Sequence, residues 1–182
     1  TSGGGAGDDI LFTSTIDADD ATNFDRMLTL DSGDSGDIAV TGVVGGAEAL
    51  AGLTITNSND TIFAQAVTVT DGVGAVVISD TEVGTAVVFN GFLTAHSFTA
   101  STSDSAYDVE MNLGASITNA SVFDNTGLVT LVDGGNDFNF TGGMAINDAD
   151  SFLSGDFITN NADINFGTGA STLTGDTTIS TG

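Results

Sequence analysis

Residues 36–44 read GDIAVTGVV, and an earlier stretch, residues 8–16, reads DDILFTSTI. In both stretches an aspartate precedes a short run in which apolar and polar side chains alternate. Alternation with a period of two is typical of a β-strand that buries one face. Such runs, separated by clusters of Gly, Asp, Asn and Ser, recur about every 20 to 28 residues along the chain. The spacing predicts an all-β architecture of similar stacked coils.

An overlay of the first coil on the second predicts which residues stack on each other. Five apolar pairs align: Ile10 with Ile38, Phe12 with Val40, Ile16 with Val44, Leu28 with Leu53, and Leu30 with Ile55. Later runs keep the alternation but vary in length, as in residues 61–69, 109–113 and 138–140. We therefore expect a single repeat domain over residues 1–182.

Two architectures are compatible with this pattern, an antiparallel β-sandwich and a parallel β-solenoid (β-helix). Sandwich hairpins favour Asn-Gly or Asp-Gly turns, and their edge strands are guarded by Lys or Pro. Asn90-Gly91 and Asp71-Gly72 are present, but the chain contains neither Pro nor Lys. The repeats favour a solenoid of about seven to eight coils, which at roughly 4.8 Å per strand forms a rod about 35 to 40 Å long.

The charge of the chain restricts its partners. It has 182 residues, a net charge of −24 and one basic side chain, Arg26, while 40% of its residues are hydrophobic. The hydrophobic content predicts an ordered core, and the charge excludes nucleic acid and anionic membrane surfaces as partners. Cations, salt and neutral surfaces such as glycans are the partners that the charge allows. No apolar run is long enough for a membrane-spanning helix, so we expect no membrane insertion.

The acidic residues are mainly aspartates, because only Glu48, Glu82 and Glu110 among the 25 are glutamates. Asp hydrogen-bonds its own backbone and favours turns, whereas Glu favours helices. The chain has no Cys, which excludes disulfides and thiolate metal sites. It begins without Met or a signal peptide, and we interpret the sequence as a piece of a longer or processed protein.

Calcium is the cofactor that the aspartates suggest. Residues 4–12 fit one copy of the Gly-Gly-x-Gly-x-Asp-x-apolar-x calcium nonapeptide, and two aspartate clusters follow it. The candidate ligands are Asp9, Asp17, Asp19, Asp20, Asp31, Asp34 and Asp37. The alternative is that these aspartates are solvated turn residues. If the coils stack, the clusters approach each other and their like charges require cations.

No catalytic constellation is evident, and we predict that the chain is not an enzyme. His96 is the only imidazole and has no evident partner, so we expect it to be exposed or to cap a turn. Arg26 is expected to pair with Asp25 or with an aspartate of a neighbouring coil. The phenylalanines are expected to form a stacked interior column rather than a sugar-binding platform.

Residues 7–16 (GDDILFTSTI) and 36–55 (GDIAVTGVVGGAEALAGLTI) resemble repeats of filamentous-haemagglutinin-like adhesins and related β-strand-repeat surface proteins of bacteria. The resemblance is strongest over residues 7–95. It implies a right-handed parallel β-helix that is secreted to the cell surface. The function it implies is that of a stalk, an adhesin scaffold or a filament subunit. Because the open ends of a solenoid are unpaired β edges, we expect the chain to associate end to end or with neighbouring repeats. The alternatives are a β-helical polysaccharide-active enzyme and a glycan-binding module.

Overall fold

The computed structural model describes residues 8–20, 26–70, 72–102 and 106–182, and β-strands form all of the regular structure in them. The strands are short because a turn cluster interrupts each alternating run. In chain order they are β1 (Ile10–Phe12), β2 (Met27–Asp31), β3 (Ile38–Val40), β4 (Gly52–Asn57), β5 (Thr61–Phe63), β6 (Val67–Val69), β7 (Ala75–Ile78), β8 (Ala86–Phe89), β9 (Leu93–Ala95), β10 (Ser97–Ala100), β11 (Asp108–Met111), β12 (Ala115–Ile117), β13 (Ser121–Phe123), β14 (Val129–Val132), β15 (Phe138–Phe140), β16 (Met144–Ile146), β17 (Ser151–Ile158), β18 (Ile164–Asn165) and β19 (Ser171–Ser180).

The strands wind into a three-sided parallel β-solenoid of about seven coils. Side one contains β1, β3, β5, β8, β11, β14 and the first halves of β17 and β19. Side two contains β6, β9, β12, β15 and the second halves of β17 and β19, and side three contains β2, β4, β7, β10, β13, β16 and β18. Every strand pairing among the described residues is parallel, which excludes the antiparallel sandwich.

The register of the first two coils confirms the sequence overlay. On side one Ile10 pairs with Ile38 and Phe12 with Val40. An isolated parallel bridge joins Ile16 to Val44 on side two. On side three the pairs are Leu28 with Leu53 and Leu30 with Ile55. All five predicted pairs are therefore neighbours in the stack.

One bent strand joins sides one and two near the C-terminal end. The first half of β17 pairs with β14 and its second half with β15. The bend lies at Gly155, whose φ of 112° is open to glycine but strained for other residues. A Cβ atom there would also lie 2.4 Å from the side chain of Asp133 in the coil before. Because of this bend, the sheet of sides one and two continues around the corner without a turn.

The core consists of apolar columns that run along the solenoid axis, and the buried hydrophobic residues form one continuous cluster. Phenylalanines of successive coils stack in it, as predicted. The rings of Phe63 and Phe89 are 5.1 Å apart and 6° from parallel, and those of Phe138 and Phe157 are 5.0 Å apart at the same angle. Offset or stacked rings at these distances are favourable beyond the area that they bury. Each coil thus packs on the next through both its backbone ladder and its core.

Candidate functional site

An aspartate occupies the same corner position, just before side one, in five of the coils. The strand register places Asp9, Asp37, Asp60, Asp108 and Asp150 in one column along the stack. We call these five residues the aspartate ladder. Each lies directly before the first inward-facing residue of its side-one strand, so its side chain is on the outside of the corner.

Each ladder carboxylate accepts a hydrogen bond from the backbone N–H at the equivalent position of the next coil. The N–H of Asp37 donates to Asp9 Oδ1 over 3.0 Å, and that of Asp60 donates to Asp37 Oδ1 over 3.2 Å. The N–H groups of Ala86, Leu128 and Ala170 donate to Asp60, Asp108 and Asp150 over 3.0, 2.6 and 2.7 Å.

The ladder explains which groups accept hydrogen bonds from the backbone N–H groups at the corner before side one. Where the column contains Ala86 instead of Asp, the next N–H, that of Asp108, donates to the backbone carbonyl of Thr85 over 2.8 Å. A carboxylate therefore replaces a backbone acceptor, in the same way that an aspartate caps the start of a helix. The first role of these charges is structural, because each one joins consecutive coils.

The other candidate calcium ligands are also engaged in local contacts. Asp17 Oδ1 accepts from the N–H of Ala47 in the next coil over 2.9 Å. Asp31 Oδ1 accepts from the N–H of Gly33 over 3.2 Å and so closes the turn after β2. Asp34 accepts from the side-chain amide of Asn57. Asp20 lies beside Asp19 in the turn after the Ile16 bridge.

The structure brings Asp9 and Asp37 together in the ladder, whereas Asp17 and Asp19 lie after the side-two bridge at Ile16. Within the four described ranges, no group of three or more His, Cys, Asp or Glu side chains is arranged to hold a metal ion. Residues 4–7 of the nonapeptide lie outside the described residues. Calcium binding therefore stays a prediction.

Arg26, directly before β2, pairs with Asp19. Its Nη2 atom donates to Asp19 Oδ2 over 3.0 Å, and its Nε atom contacts the other carboxylate oxygen. The hydrogen bond from Arg26, with its positive charge, lowers the pKa of Asp19 below the ordinary value. The prediction placed the partner at Asp25, which lies outside the described residues, or in a neighbouring coil; Asp19 belongs to the same coil.

Tyr107 closes a polar corner between sides three and one. Its ring is buried, and its hydroxyl donates to the carbonyl oxygen of Ser101 over 2.8 Å. The fully buried Asn125 of the next coil donates its side-chain amide to the carbonyl of Tyr107 over 3.0 Å. Burial raises the pKa of Tyr107 far above its ordinary value, and the charges of Asp80 and Asp124 raise it further. The hydroxyl is thus a neutral structural donor.

His96 lies between β9 and β10 at the corner from side two to side three. Its backbone N–H donates to the carbonyl of Gly74 over 2.9 Å, and its carbonyl accepts from the N–H of Asn119 over 2.6 Å. The residue is half-buried. Its backbone therefore continues the ladder at the corner, and a capping role of its side chain stays a prediction.

The C-terminal end of the solenoid presents an exposed strand. β19 pairs with β17 along one edge, and nearly all of its residues are exposed. Leu173 and Ile179 lie beneath Leu153 and Phe157 in the apolar columns, but their exposed fractions are 62% and 49%, against 1% and 0% for the residues above them. This end therefore exposes both backbone hydrogen-bonding groups and core-type side chains.

The sequence analysis named Asp9 and Asp37 only as candidate calcium ligands, and it did not single out Asp60, Asp108 or Asp150. The available signal was an aspartate directly before a strand, which is repeated in Asp60-Thr61, Asp108-Val109 and Asp150-Ser151. Only knowledge of the register shows that these pairs are equivalent, because the length of the coils varies.

Comparison of the chain with models of protein families, with curated proteins and with solved structures gives no match. Helices that could cross a membrane are absent from the described part of the chain. The functional interpretation is therefore based on the residues and their geometry.

Proposed function

We propose that this chain is a structural segment of a prokaryotic surface protein, located outside the cell. It acts as a stalk, an adhesin scaffold or a subunit of a filament. The stack of coils carries the mechanical load, and the outer surface of the rod contacts partners. Calcium or other cations associate with its acidic side chains.

The observation that carries the proposal is the continuity of the stack. Parallel ladders run along all three sides, and one continuous cluster of buried hydrophobic residues lies between them. Because each coil contacts mainly its neighbours, length is gained by adding coils and each addition buries the same kind of interface. Such a body transmits force along its axis, which a stalk or a filament requires.

The charge distribution supports an extracellular rod that remains separate from its neighbours. A net charge of −24 with a single arginine makes two rods repel each other side by side. The repulsion falls when salt or divalent cations screen the surface.

Immunolabelling of intact source cells tests the location. Antibodies raised against the 182-residue chain are expected to label unpermeabilised cells, and external protease is expected to remove the label. An antibody against a cytosolic protein serves as the control and should label only permeabilised cells. If the chain is labelled only after permeabilisation, the proposal of a surface protein is wrong.

The structural role is tested in the same cells by deleting the segment from its gene. We expect surface fibres seen by electron microscopy to be shortened or lost, and adherence to decrease. Unchanged fibres and adherence in the deletion strain would contradict a stalk, scaffold or filament function.

A further inference from the structure

We propose that the outer face of β6, β9, β12 and β15, on side two of the solenoid, binds a neutral polysaccharide. The four strands are consecutive neighbours in one sheet. The inference deepens the proposed function and rests on it in one respect, because it names the class of ligand that an adhesin scaffold outside the cell would hold.

One column of polar side chains runs along the middle of this face. The register places four residues side by side on the four strands: Thr68, Thr94, Ser116 and Asn139. Each lies between two buried residues of its strand, so its side chain points outward. Neighbouring members are roughly 4.8 Å apart, which is the spacing of strands in a sheet. The face therefore presents a regular row of three hydroxyls and one amide.

A second polar column follows where side two ends. It contains His96, Thr118 and Thr141, each two residues after a member of the first column. The ladder keeps these residues in register, since the N–H of Thr118 donates to the carbonyl of Ala95 over 3.2 Å. Side chains of both columns have no hydrogen-bond partner within the ranges that the structure describes. Their donors and acceptors are therefore open to a ligand.

Phe92 adds an aromatic ring beside the first column. It comes two residues before Thr94, and it belongs neither to the buried cluster nor to the partly buried residues that pack against that cluster. The residue is partly exposed. Ala66 and Gly114 occupy the equivalent positions of the coils before and after, and both are too small to cover the ring. Phe92 is thus an exception to the predicted interior column.

This combination of groups is suited to carbohydrate. An exposed aromatic ring packs against the apolar C–H face of a sugar, because the contact buries that face and sets its C–H groups against the negative face of the π system. Hydroxyl, amide and imidazole groups both donate and accept hydrogen bonds, as the hydroxyls of a sugar do. One ring with flanking polar columns can therefore recognise both faces of sugar chemistry.

The charge distribution determines which carbohydrates fit. Residues 86–100 and 111–123, which include β9 and β12, contain no acidic residue, although the chain has a net charge of −24. A sulfated or uronic-acid polysaccharide would be repelled by the carboxylates of the rest of the rod. A neutral polysaccharide would meet an uncharged surface and lose nothing to repulsion. Charge therefore favours a neutral ligand.

The size of the face favours a narrow polymer over a protein. Strands at roughly 4.8 Å and residues at roughly 3.3 Å give the four strands, across the width from Phe92 to His96, an outer surface of about 250 Å². A specific protein interface covers about 800 Å² on each partner. A second copy of the chain would find too little area here, while a polysaccharide lying along the columns would contact all of it.

Retention on solid polysaccharides tests the inference. The 182-residue chain is mixed with amorphous cellulose, chitin and starch as neutral probes, and with alginate gel as an acidic probe. We expect at least one neutral polysaccharide to retain the chain and alginate not to retain it. Absence of retention on all three neutral probes, or retention on alginate alone, would overturn the inference.

Phe92→Ala tests the stacking ring. The variant should bind the retaining polysaccharide about tenfold more weakly, which is the effect expected for the loss of one stacked aromatic ring. Phe152→Ala is the matched control, because Phe152 also faces outward and is 40% exposed but lies on side one. Its dissociation constant should equal that of the unmodified chain. Equal losses in the two variants would contradict the assignment to side two.

A charge in the first column gives a second test that leaves the ring in place. Thr94→Asp puts a carboxylate in the middle of the face and should abolish retention. Thr130→Asp makes the same exchange at the outward position of β14 on side one and should leave retention unchanged. Retention that responds equally to both variants would overturn the inference.

His96 provides a direct measurement, because it is the only histidine of the chain. Its ring-proton NMR signals should shift when cellohexaose, or the matching oligosaccharide of whichever probe retains the chain, is added. Signals that shift with protein concentration but not with sugar would show a contact between copies and overturn the inference. None of these failures changes the surface labelling of intact cells, so failure of this inference is distinguishable from failure of the proposed function.

Discussion

Asp108 shows what a single carboxylate contributes to the stack. Its Oδ1 atom accepts from the N–H of Leu128 over 2.6 Å at a part-buried corner. Asp108→Ala removes the acceptor and leaves that N–H without its partner, which should lower the free energy of unfolding by about 1–2 kcal/mol. Asp108→Asn keeps an oxygen at the same place and should retain most of the stability. Urea unfolding of the two variants measures the difference.

The matched control for this prediction is Asp137→Ala. Asp137 is exposed, and its carboxylate has no hydrogen bond among the described residues. Its removal should change the free energy of unfolding by no more than about 0.5 kcal/mol. If alanine at position 108 costs no more than alanine at position 137, the ladder does not stabilise the stack.

Tyr107 should make the free energy of unfolding decrease at alkaline pH. The unfolded tyrosine loses its proton near pH 10, while burial keeps the folded hydroxyl protonated to a higher pH. The unfolded state therefore binds fewer protons above about pH 10, and stability must fall as the pH rises through that range. No lysine or cysteine obscures the effect, because the chain has neither and only one tyrosine.

Tyr107→Phe isolates this effect. The variant lacks the hydrogen bond to Ser101, so it should be less stable than the unmodified chain at pH 7, by about 1 kcal/mol. Its stability should also change less between pH 9 and 11, roughly the range in which tyrosine titrates. Thermal unfolding across this range measures both effects. A parallel loss of stability in the two proteins would show that another group causes the alkaline dependence.

At the scale of the strand, inward and outward positions of one sheet should differ sharply. Phe89 in β8 is fully buried, with its ring 5.1 Å from that of Phe63 and 6.2 Å from that of Phe98. Phe89→Ala should lower the free energy of unfolding by about 3–5 kcal/mol, because it opens a cavity in the stacked column.

Phe152 in β17 faces outward and is 40% exposed. Phe152→Ala should cost far less, about 0.5 kcal/mol. Similar costs from chemical denaturation would contradict the assignment of the two faces.

Strand alternation and coil spacing were sufficient to predict the parallel solenoid and five stacked pairs in the first two coils. The prediction succeeded there because Ile10, Phe12 and Ile16 recur at the same offsets as Ile38, Val40 and Val44. Later coils could not be aligned in the same way. In them the column of Ile10 changes between valine, as at Val87 and Val109, and polar residues such as Thr61 and Ser151.

Contacts between coils were less predictable than strands. The bend of β17 at Gly155 depends on the close approach of Asp133 from the coil before, which no local pattern reveals. The ladder depends in the same way on residues about 20 to 28 positions apart that become neighbours only in the stack. Asp9, Asp17 and Asp37, which suggested a metal site, accept hydrogen bonds from backbone N–H groups of the next coil, and only the three-dimensional register reveals these contacts.

At the scale of the whole molecule, the net charge of −24 should make stability depend on salt. Repulsion among the carboxylates favours the unfolded chain, where the charges are farther apart. At about 0.01 M salt the screening length is roughly 30 Å, comparable with the rod itself, whereas at about 0.1 M it is roughly 10 Å. Removing salt and chelating divalent cations should therefore lower the melting temperature, and adding NaCl should restore it. A melting curve that is the same in chelator at low salt and in buffered NaCl would contradict this expectation.

The ladder offers a way to separate charge from hydrogen bonding in this dependence. Asp9, Asp37 and Asp60 lie in consecutive coils, so their carboxylates repel one another along the same corner. Asp37→Asn retains the oxygen that accepts from the N–H of Asp60 but removes the central charge of the three. The variant should melt at a higher temperature than the unmodified chain at low salt, and the two melting temperatures should converge as NaCl is added.

Calcium at matched ionic strength should raise the melting temperature of the unmodified chain more than NaCl does, if the carboxylates bind it directly. Equal effects of the two salts would assign the whole dependence to screening and contradict the predicted calcium site.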